Sequence, residues 1–187
     1  MATDKHLDID FLRATGAKPA WFGLGFVQLK LNDTERMHFW HPAASPDVPE
    51  EEVHDHRYGF KSCILLGAIM HEYWLFKSDP DGDAEMFEVS CKPGIPTDPT
   101  PLAVGRMVMS GRIKLERGSE YSLPASQFHR IVASRAVTLL KRGPVVKDKA
   151  RVVHPRGAPT VCAFSAPKPE AECWDLIADL LTGGGHG

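Results

Sequence analysis

Residues 51–67 read EEVHDHRYGFKSCILLG. Two histidines, His54 and His56, flank one aspartate, and a largely apolar run follows to Gly67. Alternate side chains of a strand share a face. The spacing therefore predicts a strand from near Val53 to Gly67 with both imidazoles on one side, about 6–7 Å apart along it. Imidazole is the commonest metal ligand among side chains that titrate near neutrality. Two on one strand hold a metal only if a further ligand comes from elsewhere. The candidate is His129, at the end of GSEYSLPASQFH over residues 118–129. The plainer reading of the same residues is a solvated strand edge carrying His54 and His56, with His129 a core histidine bonded to a backbone carbonyl.

Outward from this stretch the chain is a succession of short β segments. FVQLKLNDTERMHFWHP (26–42) reads as a hairpin: Val27, Leu29 and Leu31 alternate with Gln28 and Lys30, Asn32-Asp33 turns, and Met37 and Phe39 return. AIMHEYWLFK follows Gly67 as another strand and stops at the turn SDPDGD. EMFEVSC, RMVMSGRIKL, YSLP, FHRIVA and AVTLLKRG continue the pattern, separated by Gly, Pro and Ser. That is the signature of an antiparallel sandwich or barrel. Residues 92–105 lack periodicity and read as a lid or a rim. DIDFLRAT (8–15) predicts a short helix. PEAECWDLIADLLTGGG predicts a C-terminal helix over about 169–182, with Trp174, Ile177, Leu180 and Leu181 at helical spacing. The expectation is one domain over 1–187, with a barrel core at 24–145 and an appendage at 146–187.

The chain's 187 residues suit a single domain, and its 22 basic and 24 acidic residues leave a net charge of −2. That balance gives no electrostatic footprint for nucleic acid or a membrane surface. Cys63, Cys91, Cys162 and Cys173 are far apart without a CxxC pair, so reduced thiols in a cytoplasmic protein are expected. MATDKHLDID lacks the apolar core of a signal peptide, and no apolar run reaches the roughly 20 residues that span a bilayer.

Two spacings carry a family resemblance. His54-x-His56 is followed by three residues, Phe60, six residues and Gly67. Further on, Gly118 is followed by five residues, Pro124, one residue, Ser126, two residues and His129. This resembles the two motifs of the cupins, G-x5-H-x-H-x(3,4)-E-x6-G and G-x5-P-x-G-x2-H-x3-N. Phe60 stands where the family has a glutamate ligand, Val48 where it has the leading glycine, and Ser126 where it has a glycine. The final asparagine is absent. The resemblance implies a mainly β fold, the double-stranded β-helix or jelly-roll barrel, and a metal held by His54, His56 and His129.

With Phe60 in place of the acid, the implied site is three neutral imidazoles on a divalent cation with open positions. Nitrogen-rich coordination suits iron, zinc, copper or nickel and disfavours magnesium and calcium; iron(II) is the expected metal, with zinc, nickel or manganese as alternatives. Within cupins, three histidines resemble the thiol dioxygenases, cysteine dioxygenase above all. RMHFWHP leading to EVHDHRYGF, and FHRI followed by AVTLLKRGP, extend that likeness. In that register Thr138 falls on the family's serine, Leu140 on its supporting histidine and Arg142 on its catalytic tyrosine. The crosslinking cysteine has no counterpart in Cys63. The implied activity is an iron(II) dioxygenase taking O2 and a small anionic substrate, such as a thiol, as a monomer or homodimer.

Tyr58 shares the parity of His54 and His56 and is a candidate to reach substrate. Arg142 is a candidate carboxylate clamp, or else a solvated strand end. Arg57 and Arg130 are expected to point away. His38 is expected on the face opposite Met37 and Phe39. His41, His71 and His154 carry no motif and read as surface or supporting groups, as does Glu72. Two other functions fit the same fold: a non-redox metal-dependent isomerase, lyase or hydrolase, and a ligand-binding cupin without catalysis.

Overall fold

The hairpin over 26–42 forms as β2 (Phe26–Lys30) and β3 (Glu35–Trp40), antiparallel with Val27 opposite Phe39. Asn32 makes the turn: its Oδ1 accepts the backbone N–H of Thr34 and Glu35, each at 2.9 Å. The computed structural model describes residues 5–22, 24–44, 53–89, 100–158 and 168–183. Their other strands are β1 (Pro19–Phe22), β4 (Val53–His54), β5 (Tyr58–Ser78), β6 (Ala84–Val89), β7 (Ala103–Glu116), β8 (Glu120–Leu123), β9 (Phe128–Val132), β10 (Ala136–Val145) and β11 (Ala150–Pro155). The helices are α1 (Ile9–Ala14) and α2 (Glu170–Thr182).

All strand pairs are antiparallel, and two sheets share β5. The first runs β1-β2-β3-β10-β5, with β8 on the other side of β5. The second runs β5-β7-β6-β11-β4-β9, and β9 pairs back onto β5, so these six strands close on themselves. β5 changes sheet at Gly67, which pairs with Ala136, while Ala68 pairs with Glu116. Gly67 has φ +69°, and a Cβ there would lie 2.0 Å from the carbonyl oxygen of Arg135. Only glycine passes that corner. The result is the expected mainly β barrel, with a short helix before it and a longer one after it.

The helices cover the outer face of the first sheet. Leu12 of α1 and Cys173, Ile177 and Leu180 of α2 are fully buried against Val27, Met37 and Phe39. Removing Ile177 and Leu180 from water contributes about 1.5–3 kcal/mol each. Cys173, not Trp174, holds the centre of that helix face; Trp174 packs at its rim, with the Arg13 guanidinium 5.5 Å from its ring. Asp8 caps α1, accepting from the backbone N–H of Asp10 and Phe11. The opposite face of β2 and β3 is left for the barrel interior.

The segment from Val53 to Gly67 is not one strand. β4 stops at His54, residues 55–57 leave the ladder, and β5 runs from Tyr58 through Gly67 to Ser78, merging two expected strands. Asp55 causes the break: its backbone N–H donates to Arg151 O and its carboxylate is bound by cationic side chains, so residue 55 joins β11 rather than a regular ladder. Paired strands extend beyond 24–145, because β1 pairs with β2 and β11 with β6 and β4. Of the expected loop 92–105, residues 103–105 begin β7; residues 92–99 lie outside the described residues, as do Cys91 and Cys162. Cys63 and Cys173 are free thiols. No helix among the described residues is long and apolar enough to cross a membrane.

Candidate metal centre

β4 is two residues long, yet its register decides the site. His54 pairs directly with His129 of β9 and, on its other side, with Val152 of β11. Directly opposed residues present side chains to the same face, and the two imidazole centroids are 4.7 Å apart. His56 arrives from the irregular segment, its N–H donating to Ala125 O at 3.2 Å. Its ring lies 4.9 Å from His54 and 5.0 Å from His129. One nitrogen from each of the three lies within 4.8 Å of the others, and Nε2 of His56 is 2.8 Å from Nε2 of His129. The three histidines read from the sequence are thus brought together, although His54 and His56 do not share one regular strand.

These donors fit a metal chemically. Two imidazole nitrogens approach this closely only when a proton or a cation lies between them. Adjacent ligands of an octahedron with bonds of roughly 2.1 Å are about 3 Å apart. His56 and His129 are held well below the ordinary imidazole pKa, by burial first and then by the neighbouring histidines, His54 foremost. Neutral imidazole is the ligating form. His129 Nδ1 lies 3.0 Å from Nε2 of His71, which is fully buried. With Nε2 of His129 given to a metal, its Nδ1–H donates to His71, which fixes both ring orientation and tautomer. His71 is itself wedged between Tyr73 and Tyr121, centroids at 4.4 and 4.5 Å. Phe60 occupies the place beside the centre, edge-on to His56 at 5.0 Å.

Asp55 is the supporting residue that the sequence reading passed over. It is 1% exposed. Its Oδ1 accepts the backbone N–H of Arg151 at 2.7 Å, and its Oδ2 accepts from Lys147 Nζ at 2.5 Å and Arg151 Nε at 2.7 Å. The residue between the two histidines is thereby locked, and the rings on either side take fixed directions.

The centre opens on a cavity of about 420 Å³ between the two sheets. Tyr58 and Arg142 both line it. The Tyr58 ring is 5.6 Å from that of His56, and the Arg142 guanidinium sits 5.6 Å from the centre of the same tyrosine ring. Arg142 Nε donates to Asp33 O at 2.5 Å. His38 also lines the cavity, so the face opposite Met37 and Phe39 is interior rather than surface. It lies 3.4 Å from Gln28 Nε2 and 3.5 Å from Thr138 Oγ1, and burial pushes its pKa down to about 3, helped by Arg36 and His54.

That depression has a consequence for stability. Above pH 6.5 His38 is neutral folded or unfolded. Below it the unfolded chain takes a proton that the native state refuses until about pH 3. Stability is therefore complete above the unfolded pKa and declines by about 1.4 kcal/mol per pH unit from this residue as pH falls. The expected result for His38→Gln is a flatter fall between pH 6 and 4, read by chemical denaturation; an unchanged slope would show that His38 is protonated in the native state.

No protein-family model matches this chain, and no curated protein matches it. Solved structures similar to it include two hydroquinone 1,2-dioxygenases. One is the hydroquinone 1,2-dioxygenase PnpCD in complex with Cd2+ and 4-hydroxybenzonitrile: 22% identity, 78% of this chain and 79% of that one, TM-score 0.35. The other is the hydroquinone 1,2-dioxygenase from Sphingomonas sp. TTNP3 with 4-hydroxybenzoate bound: 19% identity, 61% and 63% coverage, TM-score 0.33.

The remaining candidates divide by face. Glu72, 1% exposed, turns away from His71 and is held by Arg130 at 2.7 Å and Arg112 at 3.3 Å, so it offers no fourth ligand. Arg130 binds Glu72, and both Arg130 and Arg57, expected to point away, have atoms on the cavity wall. His41 lies outside the cavity, its Nε2 2.7 Å from Asp179 of α2. His154 packs near Phe87, centroids 6.0 Å apart.

Proposed function

We propose that the chain is a non-haem, metal-dependent dioxygenase acting on a small anionic substrate, with His54, His56 and His129 as ligands of iron(II). The observation that carries this reading is the convergence of three imidazoles, without a carboxylate among them, on the wall of a cavity. Held by these three residues, iron(II) would supply the redox chemistry that couples a small substrate to dioxygen. Zinc and nickel fit the same donors, and manganese fits them less well. The chain's own residues do the rest. Phe60 packs edge-on against His56 and presents an apolar surface beside the three histidines. Tyr58 stands next to His56 with its ring under Arg142, where it orients a bound anion, and Arg142 supplies positive charge for it.

Acid–base chemistry at a redox-inert metal is disfavoured by the fate of the nearby acids. Asp55 and Glu72 are both buried and each is bound by two cations, which leaves neither free as a general base. A thiol such as cysteine belongs to the substrate class, although it fills only part of a cavity of about 420 Å³. The test is elemental analysis of the purified chain followed by oxygen uptake with small thiols and carboxylates. Iron at about one equivalent, with uptake that depends on substrate, is expected. A bound metal with no uptake across the panel would replace the oxygenase by a Lewis-acid enzyme.

A further inference from the structure

The register of β2, β3 and β10 lays out the inward face of the first sheet in three rungs. Phe26, Trp40 and Ala136 form the first, Gln28, His38 and Thr138 the second, and Lys30, Arg36 and Leu140 the third. Arg142 follows Leu140 on the same face. Rungs are two residues apart, about 6–7 Å along a strand. Gln28, His38 and Thr138 of the middle rung line the same cavity as His54, His56 and His129.

The third rung gathers cations. Arg36 and Arg142 both lie over the Tyr58 ring, at 5.3 and 5.6 Å, and Lys30 and Arg57 line the same end of the cavity. Among the described residues none of these four is in ion-pair range of a carboxylate. Arg142 spends its Nε on Asp33 O, which leaves the two terminal nitrogens of its fork. Burial first, and then the neighbouring guanidinium groups, push the Lys30 and Arg36 pKa values down. Like charges held together on one wall form a place for an anion. Between this end and the histidines the floor is apolar, built from Phe60 and Leu140 beside Tyr58.

We propose that Lys30, Arg36 and Arg142 bind the carboxylate of an aromatic acid whose ring lies along Tyr58, Phe60 and Leu140, so that its opposite edge reaches the three histidines. The acid end does not chelate the metal; it anchors the substrate one rung away. Only the second half of this statement rests on the metal reading above. Arg36, which carries no motif in the sequence, is the central anchoring residue, because it pairs directly with Lys30 across β2 and β3 and its guanidinium shares the Tyr58 ring with Arg142.

Calorimetry on the full chain, metal-loaded and metal-free, with benzoate, its uncharged isostere benzamide and inorganic phosphate tests this. Benzoate is expected to bind at least tenfold more tightly than benzamide in both preparations, and phosphate more weakly than benzoate. Arg36→Gln should remove that preference with metal content and thermal midpoint unchanged. Arg36→Lys, which keeps the charge and loses the fork, should restore part of it. Equal binding of benzoate and benzamide, phosphate binding more tightly than benzoate, or an Arg36→Gln protein that folds and keeps the preference would each overturn the proposal. A chain that discriminates benzoate yet takes up no metal keeps this subsite and removes the metal reading. One that loads metal without discriminating does the reverse.

Discussion

His129→Ala is expected to lower metal affinity by at least about 100-fold, the upper end of what losing a mere supporting partner of a ligand costs. Three separate contacts converge on this residue. Its Nε2 meets Nε2 of His56 at 2.8 Å, its Nδ1 meets His71 at 3.0 Å, and its Cα is paired across the ladder with His54. Truncation removes one of three ligands and also the group against which the other two are aligned. His41→Ala is the matched control: it removes an imidazole bound to Asp179 outside the cavity and should leave affinity unchanged. Titration of iron(II) or zinc into metal-free protein reads the difference, with circular dichroism to show that the 3% exposed site tolerates the cavity. Equal affinities for the two variants and the parent would remove His129 from the centre.

The ligands were legible because strand alternation and motif spacing act over short distances, and both survive local distortion. The break at Asp55 illustrates this: His54 and His56 are not on one regular strand, yet their rings still meet at 4.9 Å. His71 was harder to read. Ile69, His71 and Tyr73 alternate with Met70, Glu72 and Trp74, and both sets look apolar enough to be interior. Each set has a fully buried member, His71 in one and Glu72 in the other, and none of the six is fully exposed, since β5 lies between the cavity on one side and the cluster of Val53, Phe128 and Trp74 on the other. A two-sided strand gives periodicity without saying which face holds the site. Glu72 shows the same ambiguity from the other face, where Arg112 and Arg130 compensate its charge. Arg36 was invisible for a different reason. Its partners, Lys30, Tyr58 and Arg142, come from three other strands, and only the barrel's closure assembles them. β11 was missed because a six-residue strand after the charged run KDKA carries too little pattern of its own and is fixed by its pairing with β6.

Asp55→Asn should be the most destabilising conservative change near the centre. The carboxylate has no solvent contact of its own and accepts from two cations and one backbone N–H. Asparagine keeps the shape but removes the charge, and its amide group offers donors where Lys147 and Arg151 also donate. Breaking one side of a buried pair costs about 3–5 kcal/mol. Here the cations retain 28% and 31% side-chain exposure and recover some hydration, which brings the expected loss to about 2–4 kcal/mol. Salt should rescue little of it, because the carboxylate is buried beyond the reach of screening. The second effect is on the centre. Asp55 N–H donates to Arg151 O and the side chain grips the same residue, so the peptide between His54 and His56 is held from both ends. Releasing it lets the two rings turn independently, and metal affinity should fall about 10–100-fold, in the range of lost outer-sphere support. Denaturant unfolding of the metal-free protein isolates the first effect, and metal titration of the folded variant isolates the second. A variant as stable as the parent would mean that Lys147 and Arg151 are hydrated rather than paired in solution. A stable loss with unchanged metal affinity would mean that the ladder contact of His54 with His129 alone sets the geometry.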